Sequence, residues 1–445
     1  MTLADFPAHF AAQFPVLLGR KILVALSGGP DSVALLHLLN DPDLELQLEA
    51  VHVHHGTRGE EADQDASFCK DVCHELKIPF HLRRISIEGS MPAGREGTWR
   101  QHRYQAFLEL RQAQGADAVA TGHHKDDVAE GVLVQMLRGG GPRALAGIAA
   151  QSPSDVIRPL LPWTRHELAA WLRERGVRWR EDSSNRDQEL LRNRVRHEFL
   201  PALEAASPSL RQHLVHLAET LSSTEAHFAQ ELANRAVWID PWDPDGGVPT
   251  TSVHELEPPL RTRWLHAQAS VIGLARVTRR QSALFEQMIC TGKPRAVTLG
   301  GRWRLRLARG RLWLEPPRDP PSFAFSLAPG ETVDLPLPGW RIGLRFAGEP
   351  PEGVRWSIGL PAGVCLSVRN ARDGDRVRDD ETNVRVSRLL ARAMPRHLRG
   401  AWPVLCEDDR IYWIPGVWQD PAASNPDGPV VEVIRCEQPA GGLQR

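Results

Sequence analysis

Residues 21–40 read KILVALSGGPDSVALLHLLN, and this stretch decides the fold. The run ILVAL at 22–26 has no polar interruption, which is typical of a strand buried on both faces of a parallel sheet. From Val33 onward the apolar residues recur at helical spacing. The stretch therefore predicts a strand, a tight glycine-rich turn and a helix.

The turn itself predicts a phosphate-binding loop, made of Ser27, Gly28, Gly29, Pro30, Asp31 and Ser32. The two glycines let an anion approach the main chain, and the two serines offer hydroxyl donors. The start of the helix adds unpaired N–H groups at the positive end of its dipole. Asp31 would repel a phosphate unless a cation lay between them, and Mg²⁺ carried by a nucleotide is the natural candidate. An ordinary strand-to-helix turn of the same composition is the alternative.

The sequence SGGPDS resembles the PP-motif of the ATP-pyrophosphatase superfamily, whose members cleave ATP to AMP and pyrophosphate. It is not a Walker motif, because no Gly-Lys-Ser/Thr follows. GMP synthetases, NAD synthetases, tRNA thiolases and tRNA(Ile)-lysidine synthetases all belong to this superfamily. The motif alone does not choose among them.

Composition limits the class of protein. A chain of 445 residues with 42% hydrophobic and 24% charged residues is expected to form two or three soluble globular domains. We see neither a signal peptide nor an apolar run of membrane-spanning length, and the six cysteines show no CxxC spacing. These features predict a reduced, cytoplasmic protein without a membrane partner. A net charge of −1 means that any nucleic-acid surface must be a local patch.

Strands alternate with helices after the first unit. Strands are predicted at 44–56, 80–87 and 117–123, and helices at 60–77, 98–114 and 126–138. This alternation indicates a doubly wound parallel sheet of the α/β class, Rossmann-like, with ligands at the carboxyl ends of its strands. The polar residues fall at those ends, in 27–32, at His54 and in 122–127.

A second chemical stretch, GHHKDDVAE, occupies 122–130. Its paired carboxylates, Asp126 and Asp127, could hold Mg²⁺, orient a base or move protons. The alternative is a charged first turn of a helix, where aspartates are simply stabilising. Two adjacent histidines could suggest zinc, but no third ligand follows at a known spacing.

A basic segment, LLRNRVRHEFLPAL, occupies 190–203. Its cluster consists of Arg192, Asn193, Arg194, Arg196 and His197. A solvated helix face is one interpretation, and phosphate binding through bidentate guanidinium groups is the other.

The remainder of the chain predicts helices over 204–290 and a β-hairpin with its turn at Arg309 and Gly310. A proline-rich linker follows at 316–321, and short strands are expected over 323–346. In the last domain Arg385, Arg388 and Arg392 recur at helical spacing until Pro395. The same domain holds further arginines and two tryptophans, namely Arg369, Arg372, Arg376, Arg378, Arg396 and Arg399, with Trp402 and Trp413. Arginines could bind an RNA backbone and tryptophans could stack on exposed bases. A solvated arginine face is the alternative.

We therefore expect four regions. Residues 1–200 are expected to form a PP-loop catalytic domain, and 201–318 a mainly helical domain that ends in the hairpin, to which the family resemblance described next assigns tRNA binding. Residues 319–350 form a linker with short strands, and 351–445 a small α+β C-terminal domain rich in arginine.

Over 20–203 the chain resembles the tRNA(Ile)-lysidine synthetase family in particular. The segments VHVHHGTRGEEAD, GTWRQHRYQAF, ATGHHKDDVAEGVLVQMLRGGGPRALAGI, IRPLLPWTRHEL and REDSSNRDQELLRNRVRHEFLPAL occur in the family's order. The C-terminal SVRNARDGDRV and WIPG are also similar to the family. Three positions depart from its usual pattern, with Thr57 in place of Leu, Gly131 in place of Thr, and VRVSRLLAR where lysines are common.

The resemblance implies a ligase that converts the wobble cytidine of the CAU-anticodon tRNA(Ile) to lysidine. ATP, Mg²⁺ and free L-lysine would be consumed, and AMP and pyrophosphate released. The C2 oxygen of cytosine would attack the α-phosphate to give an adenylated base, and the lysine ε-amine would then attack C2 and expel AMP.

Catalytic roles are predicted for Asp31, Asp126, Asp127, Arg192 and Arg194. Asp31 would bind the metal and triphosphate, one of the paired aspartates would orient the cation or the amine, and the arginines would steady phosphate or a flipped base. The predicted nucleotide-binding set is Ser27, Gly28, Gly29, Pro30, Asp31, Ser32, His54, Arg100, Gly122 and His123. The sequence does not name the general base or the oligomeric state, for which a homodimer is one option.

Two other functions stay open at this point. A tRNA thiolase of the same superfamily would need reactive cysteines, and Cys69 with Cys73, four apart on one predicted helix, is the only nearby pair. We interpret these two as small core residues. A non-enzymatic nucleotide-binding regulator would bind ATP without releasing pyrophosphate.

Overall fold

The computed structural model describes most of the chain, namely residues 2–54, 60–85, 95–152, 154–180, 191–274, 277–317, 321–328, 330–346, 350–361, 366–379, 382–423, 425 and 428–436. The EDSSN segment at 181–185, Thr57 and the side chain of Arg100 lie outside this description. The chain divides into two compact units, Met1–His227 and Phe228–Arg445.

The first unit is an α/β structure. Its strands are β1 Lys21–Ala25, β2 Gln47–His54, β3 Phe80–Arg84, β4 Ala118–Ala120 and β5 Val156–Ile157. Its helices are α1 Phe6–Gln13, α2 Pro30–Leu39, α3 Glu60–Glu75, α4 Arg95–Gln114, α5 Lys125–Leu137, α6 Pro142–Leu145, α7 Arg165–Glu174, α8 Leu191–Arg194, α9 Leu200–Ala206 and the first part of α10 Leu210–Arg235, with a π-helical turn at Val195–Phe199 between α8 and α9. The end of α10, from Phe228 onward, belongs to the second unit. The strands are all parallel, in the order β3-β2-β1-β4-β5. This confirms the predicted doubly wound parallel sheet.

Both faces of β1 are buried, as its apolar run predicted. Ile22 and Val24 join a core with residues of α1, α2 and α7. Leu23 points to the opposite face, where it joins a core that contains Phe107 of α4. This alternation follows the two-residue period of a strand.

The sheet reverses its winding direction at β1. This strand pairs with β2 on one side and with β4 on the other, in the register Val24↔Ala120. The chain segments that follow β1 and β4 therefore border the same crevice, which is where parallel α/β sheets bind ligands. Residues 27–32 and 122–127 meet there.

The second unit begins with helices and a four-stranded antiparallel sheet. The strands are β6 Val248–Pro249, β7 Arg295–Thr298, β8 Arg304–Ala308 and β9 Arg311–Glu315, and the helices are α11 Thr250–His254, α12 Pro258–Val271 and α13 Arg279–Thr291. The predicted hairpin turn is confirmed, because Arg309 and Gly310 join β8 to β9 with φ angles of 52° and 72°. Positive φ at both positions is what a two-residue hairpin turn requires.

Among its described residues, the rest of the second unit forms three further sheets and one α-helix. The strands are β10 Ala324–Ser326, β11 Thr332–Asp334, β12 Trp340–Arg345, β13 Val354–Gly359, β14 Ser367–Asn370, β15 Arg376–Asp379, β16 Thr382–Arg385, β17 Pro403–Glu407, β18 Arg410–Ile414, β19 Trp418–Gln419 and β20 Val430–Arg435, and the helix is α14 Val386–Ala393. The sheet orders are β10-β14-β17-β18-β19 and β11-β12-β20-β13, with a separate β15–β16 pair.

The expected linker region needs one correction. Its strands β10 and β12 pair with β14 and β20, so these residues belong to the C-terminal sheets. Residues 204–227 lie in the first compact unit. The functional boundaries of the four expected domains stay a prediction. Within the described residues, no helix combines the length and apolar character needed to cross a membrane.

Candidate active site

The loop between β1 and α2 has the backbone of a tight anion-binding turn. Gly28 has a φ of +89°, and a side chain there would press against Cys69 and Phe68 of α3. Ser32 is buried, and its hydroxyl accepts from the Ser27 N–H at 3.1 Å and lies 3.0 Å from the Gly29 carbonyl oxygen. Ser32 therefore holds the loop closed.

Ser27 and the start of α2 face the crevice side of this loop. The Ser27 side chain is exposed, and α2 begins at Pro30, which has no N–H to satisfy. The Ser27 hydroxyl lies 3.0 Å from the Ser32 hydroxyl and accepts from the Gly29 N–H at 3.4 Å. This hydroxyl and the amino end of α2 are the groups that the loop offers to an anion.

Gly122 brings the end of β4 against the same loop. A Cβ built on Gly122 would lie 3.1 Å from the carbonyl carbon and oxygen of Asp31 and from the nitrogen of Ser32. Contacts this short are tighter than most real Cβ contacts, so a side chain here would push the two segments apart by a few tenths of an ångström. Gly122 therefore keeps the carboxylate segment at 122–127 in contact with the phosphate-loop candidate.

His124 lies at the centre of three carboxylates. Its Nε2 lies 3.6 Å from Asp31 Oδ2 and 3.4 Å from Asp127 Oδ2, and its Nδ1 lies 3.6 Å from Asp126 Oδ2. Burial alone would lower the pKa of His124, but the Asp31, Asp127 and Asp126 carboxylates raise it above its ordinary value. The three carboxylates therefore favour protonation of His124.

A buried ionic network adjoins His124 on α5. Asp127 Oδ1 accepts from Arg192 Nη2 at 2.6 Å, and Glu130 accepts from Arg192 Nε at 3.2 Å and from Arg196 Nε at 2.6 Å. Burial would raise the pKa of Asp127, but the charges of His124 and Arg192 hold it at about 2. The side chain of Glu130 is only 2% exposed, so the two arginines compensate a buried carboxylate.

Asp126 is held by two groups from other elements. Its Oδ2 accepts from the Arg165 backbone N–H at 2.8 Å, at the start of α7. Its Oδ1 accepts from Arg211 Nη1 at 2.9 Å, on α10. Asp126 therefore ties three helices to one point beside His124.

Asp31 is the group best placed to meet a cation. Its Oδ1 is buried and has no hydrogen-bond partner. A carboxylate oxygen in this state costs free energy unless a cation or donor reaches it. The described residues contain no cluster of three or more His, Cys, Asp or Glu side chains arranged to hold a metal ion. Asp31 thus fits Mg²⁺ that arrives with triphosphate oxygens as its other ligands.

Comparison of the sequence with known proteins identifies the family to which the chain belongs. Residues 7–203 match the family model described as a PP-loop domain. A tRNA(Ile)-lysidine synthase from Symbiobacterium thermophilum is 32% identical over 99% of this chain and 100% of that protein. The chain belongs to the tRNA(Ile)-lysidine synthase family. It is therefore an ATP-using ligase of the PP-loop class.

Two more comparisons bear on the extent of the match. The tRNA(Ile)-lysidine synthase of Pseudomonas syringae pv. tomato is 34% identical over 92% of this chain and 91% of that protein. Among solved structures, the U34-tRNA thiolase NcsA from Methanococcus maripaludis with its [4Fe-4S] cluster aligns with 50% of this chain. The alignment includes 78% of the thiolase chain, with 21% identity and a TM-score of 0.41. A TM-score this low carries no argument about function.

Within this lysidine synthase family member, the predicted site residues are brought together only in part. Asp31, Asp126, Asp127 and Arg192 lie in one network, as described above. Arg194 points elsewhere, because its Nε lies 3.4 Å from Glu198 and its guanidinium stacks 4.9 Å from the Phe199 ring centroid. The role predicted for Arg194 stays a prediction without support from these contacts.

Two histidines of the predicted nucleotide set lie at the ends of β2 and β4. His54 is buried, and its Nε2 lies 3.2 Å from Asp63 on α3. His123 is half-buried, and its Nδ1 lies 2.9 Å from the Thr121 hydroxyl. Both positions are compatible with a nucleotide site at this edge, and their role stays a prediction.

The predicted site residues omit four members of the network, namely His124, Glu130, Arg196 and Arg211, although Arg196 belongs to the predicted basic cluster and His124 and Glu130 lie in the stretch 122–130. Two of them carried a signal in their spacing. Glu130 follows Asp127 by three residues and Arg196 follows Arg192 by four, and both spacings place side chains on one helix face. Arg211 had no local signal, because its partner Asp126 is 85 residues away.

The cysteines Cys69 and Cys73 belong to the core, as interpreted. Both have no exposed surface and pack beneath the sheet. Burial raises the pKa of both thiols, and that of Cys73 reaches about 12. Such thiols are protonated and inaccessible, so they lack the features of a reactive pair.

The C-terminal arginine surface is partly as predicted. Seven arginines have exposed side chains, namely Arg372, Arg376, Arg378, Arg385, Arg388, Arg392 and Arg396. Arg369 is 3% exposed and binds Asp375 at 2.7 Å, so it is structural.

The expectation that Trp402 and Trp413 meet RNA bases is wrong, because both rings are buried in the core. Large aromatic side chains contribute most when they are removed from water.

Proposed function

We propose that this chain ligates free L-lysine to C2 of the wobble cytidine in the CAU-anticodon tRNA(Ile). The reaction passes through an adenylated base and gives lysidine, AMP and pyrophosphate. The observation that carries the proposal is the similarity to a tRNA(Ile)-lysidine synthase over 99% of this chain and 100% of that protein. The geometry at the carboxyl ends of β1 and β4 supports it.

In the first step the cytosine C2 oxygen attacks the α-phosphate of ATP. The Ser27 hydroxyl and the amino end of α2 would hold the triphosphate, and the positive φ of Gly28 gives the loop its tight turn. Mg²⁺ would neutralise charge between the phosphates and Asp31. The unpartnered Oδ1 of Asp31 supports that role. Negative charge that develops on the departing pyrophosphate is thus stabilised by groups that are already in place.

In the second step the lysine ε-amine attacks C2 and AMP leaves. Asp127 is held by Arg192 and by the His124 backbone N–H, and its pKa of about 2 keeps it ionised at any working pH. An ionised carboxylate can attract the lysine ammonium and then orient the amine that forms from it. Arg192, held by Asp127 and Glu130, would steady phosphate or the flipped base.

The proposed RNA contact outside the catalytic unit is the exposed arginine surface around α14. Guanidinium groups bind phosphate oxygens in a bidentate manner and release counterions from RNA. Arg388 and Arg392 lie four residues apart on one face of α14, and the opposite face, with Leu389 and Leu390, is buried. This arrangement supports tRNA as the partner.

The experiment that tests the two-step chemistry uses ATP labelled with ³²P at the α-phosphate. With an unmodified tRNA(Ile) transcript and no lysine, label should move from ATP onto the tRNA. Addition of lysine should then release the label as AMP. Label on the tRNA that lysine cannot discharge would contradict lysine as the nucleophile, and transfer to a transcript with uridine at the wobble position would contradict cytidine as the target.

A further inference from the structure

Arg211 connects the first turn of α10 to the carboxylate network. Its Nη1 donates to Asp126 Oδ1 at 2.9 Å. Its Nε and Nη2 donate to Glu204 Oε1 and Oε2 at 2.8 and 3.1 Å. The guanidinium is therefore fixed by a two-pronged contact with α9 and aimed at α5. It lies beyond residue 203, the last residue that matches the PP-loop family model.

The apolar face of α10 holds the same three helices together. Leu214, Val215 and Ala218 of α10 belong to a core cluster with residues of α5, α9 and the π-helical turn, namely Val128, Ala129, Val132, Val134, Val195 and Leu200. This core brings Arg211 to Asp126 without a need for a flexible loop. Well-packed helices transmit a displacement as rigid bodies, so a shift of α10 would carry Arg211 with it.

Asp126 needs this partner because its side chain is only 12% exposed. Its other oxygen is occupied by the Arg165 N–H. Removal of the Arg211 guanidinium would leave Oδ1 of this nearly buried carboxylate without its charged hydrogen-bond donor, and Asp126 would then move or take a proton. Because Asp126 lies 3.6 Å from His124, the displacement would reach the group that also faces Asp31 and Asp127.

We propose that Arg211 is a positioning residue of the ligation reaction, which fixes Asp126 and thereby the arrangement of His124 and Asp31. The proposal rests on the proposed function. Arg211 acts through Asp126, because three of its N–H groups are already engaged by protein carboxylates. Catalytic positioning of this kind appears in kcat, since a displacement of about 1 Å can cost about 100-fold in rate.

The test compares Arg211→Gln and Arg211→Lys with a control on the same helix. Arg235→Gln removes a guanidinium that pairs with Glu257 on the exposed surface and has no contact with the network. For each variant, kcat and the KM values for ATP and lysine are measured by ATP-dependent lysine incorporation into tRNA. The tRNA dissociation constant is measured at two salt concentrations. The midpoint of thermal unfolding shows whether each variant is folded.

Arg211→Gln should lower kcat about tenfold or more and leave the tRNA dissociation constant within about twofold. Arg211→Lys keeps the charge beside Asp126 and should recover part of the loss. Arg235→Gln should match the wild type. Arg211→Gln added to Asp126→Asn should cost little beyond Asp126→Asn alone, because the two residues act as one unit.

Two results would overturn the proposal. One is a wild-type kcat for Arg211→Gln. The other is weaker tRNA binding with a smaller salt dependence and a normal kcat at saturating tRNA, which would make Arg211 a phosphate contact. If Arg211→Gln does not fold, Arg211→Lys decides, since positioning predicts a kcat reduced at least about threefold. Wild-type enzyme that labels no tRNA would contradict the proposed function instead.

Discussion

Gly122 and Asp31 are in backbone contact: a Cβ on Gly122 would lie 3.1 Å from the carbonyl carbon and oxygen of Asp31. The contact joins the segment after β4 to the segment after β1. The distance of 3.6 Å from His124 Nε2 to Asp31 Oδ2 depends on how closely these two segments approach. A substitution at Gly122 therefore tests whether the close approach of the two segments matters for the reaction.

Gly122→Ala should lower kcat for lysine incorporation about tenfold or more, because β4 and α2 must separate by a few tenths of an ångström to admit the methyl group. Gly131→Ala is the matched control, since a Cβ there meets nothing within 4 Å on α5. The control should keep wild-type activity and raise stability by roughly 0.5–1 kcal/mol, as expected for alanine in a helix. Equal activities of the two variants would show that the close approach is not required.

Glu130→Gln should destabilise the first unit strongly. Its carboxylate is buried and accepts from both Arg192 and Arg196, and breaking a buried ion pair on one side costs about 3–5 kcal/mol. Glu198→Gln is the control, because Glu198 pairs with Arg194 on the surface and should cost below about 1 kcal/mol. Urea denaturation followed by circular dichroism measures both. Similar losses from the two variants would mean that the buried network contributes little.

The pKa of Asp127 gives a pH prediction with a definite sign. This pKa is about 2 in the folded chain, below its ordinary value of 3.8. The carboxylate therefore stabilises the fold fully above about pH 4, and this contribution is lost as the pH falls towards about 2. The gap in urea midpoint between wild type and Asp127→Asn should be constant from about pH 6 to 5 and narrow by about pH 3. A gap that widens on acidification would contradict the ion-pair account.

Cys69→Ala combined with Cys73→Ala should leave lysine incorporation within about threefold of wild type, because neither thiol is accessible or ionised. A thiolase mechanism on this pair would instead require both sulfurs. N-ethylmaleimide gives a second measurement on the native protein. It should label the exposed Cys290 and leave the buried pair unlabelled. Loss of activity in a correctly folded double variant would favour the thiolase.

The strand, turn and helix at 21–40 could be predicted because each has a local signal. The apolar run of β1 has the length of a strand, and the turn residues carry their own backbone preferences. The meeting of Asp31 with Asp126 and Asp127 could also be predicted, because the carboxyl ends of parallel strands share one edge. General rules of α/β sheets were sufficient for this part of the site.

The rest depends on contacts that no local pattern encodes. Arg211 reaches Asp126 only because α10 packs on α5, where both helices contribute to one core cluster. The tryptophans of the C-terminal domain looked like RNA contacts in sequence, but their apolar area placed them in the core. Composition alone does not distinguish these two uses of an aromatic residue.

The central claim is tested most directly by radiolabelled lysine and an unmodified tRNA(Ile) transcript with the CAU anticodon. Label should enter the tRNA only with ATP present, and Asp31→Ala should abolish it. A transcript with uridine in place of the wobble cytidine should stay unlabelled. Absence of label from wild-type protein that binds both ATP and the transcript would contradict the account, and a nucleotide-binding regulator or a thiolase would then have to be considered.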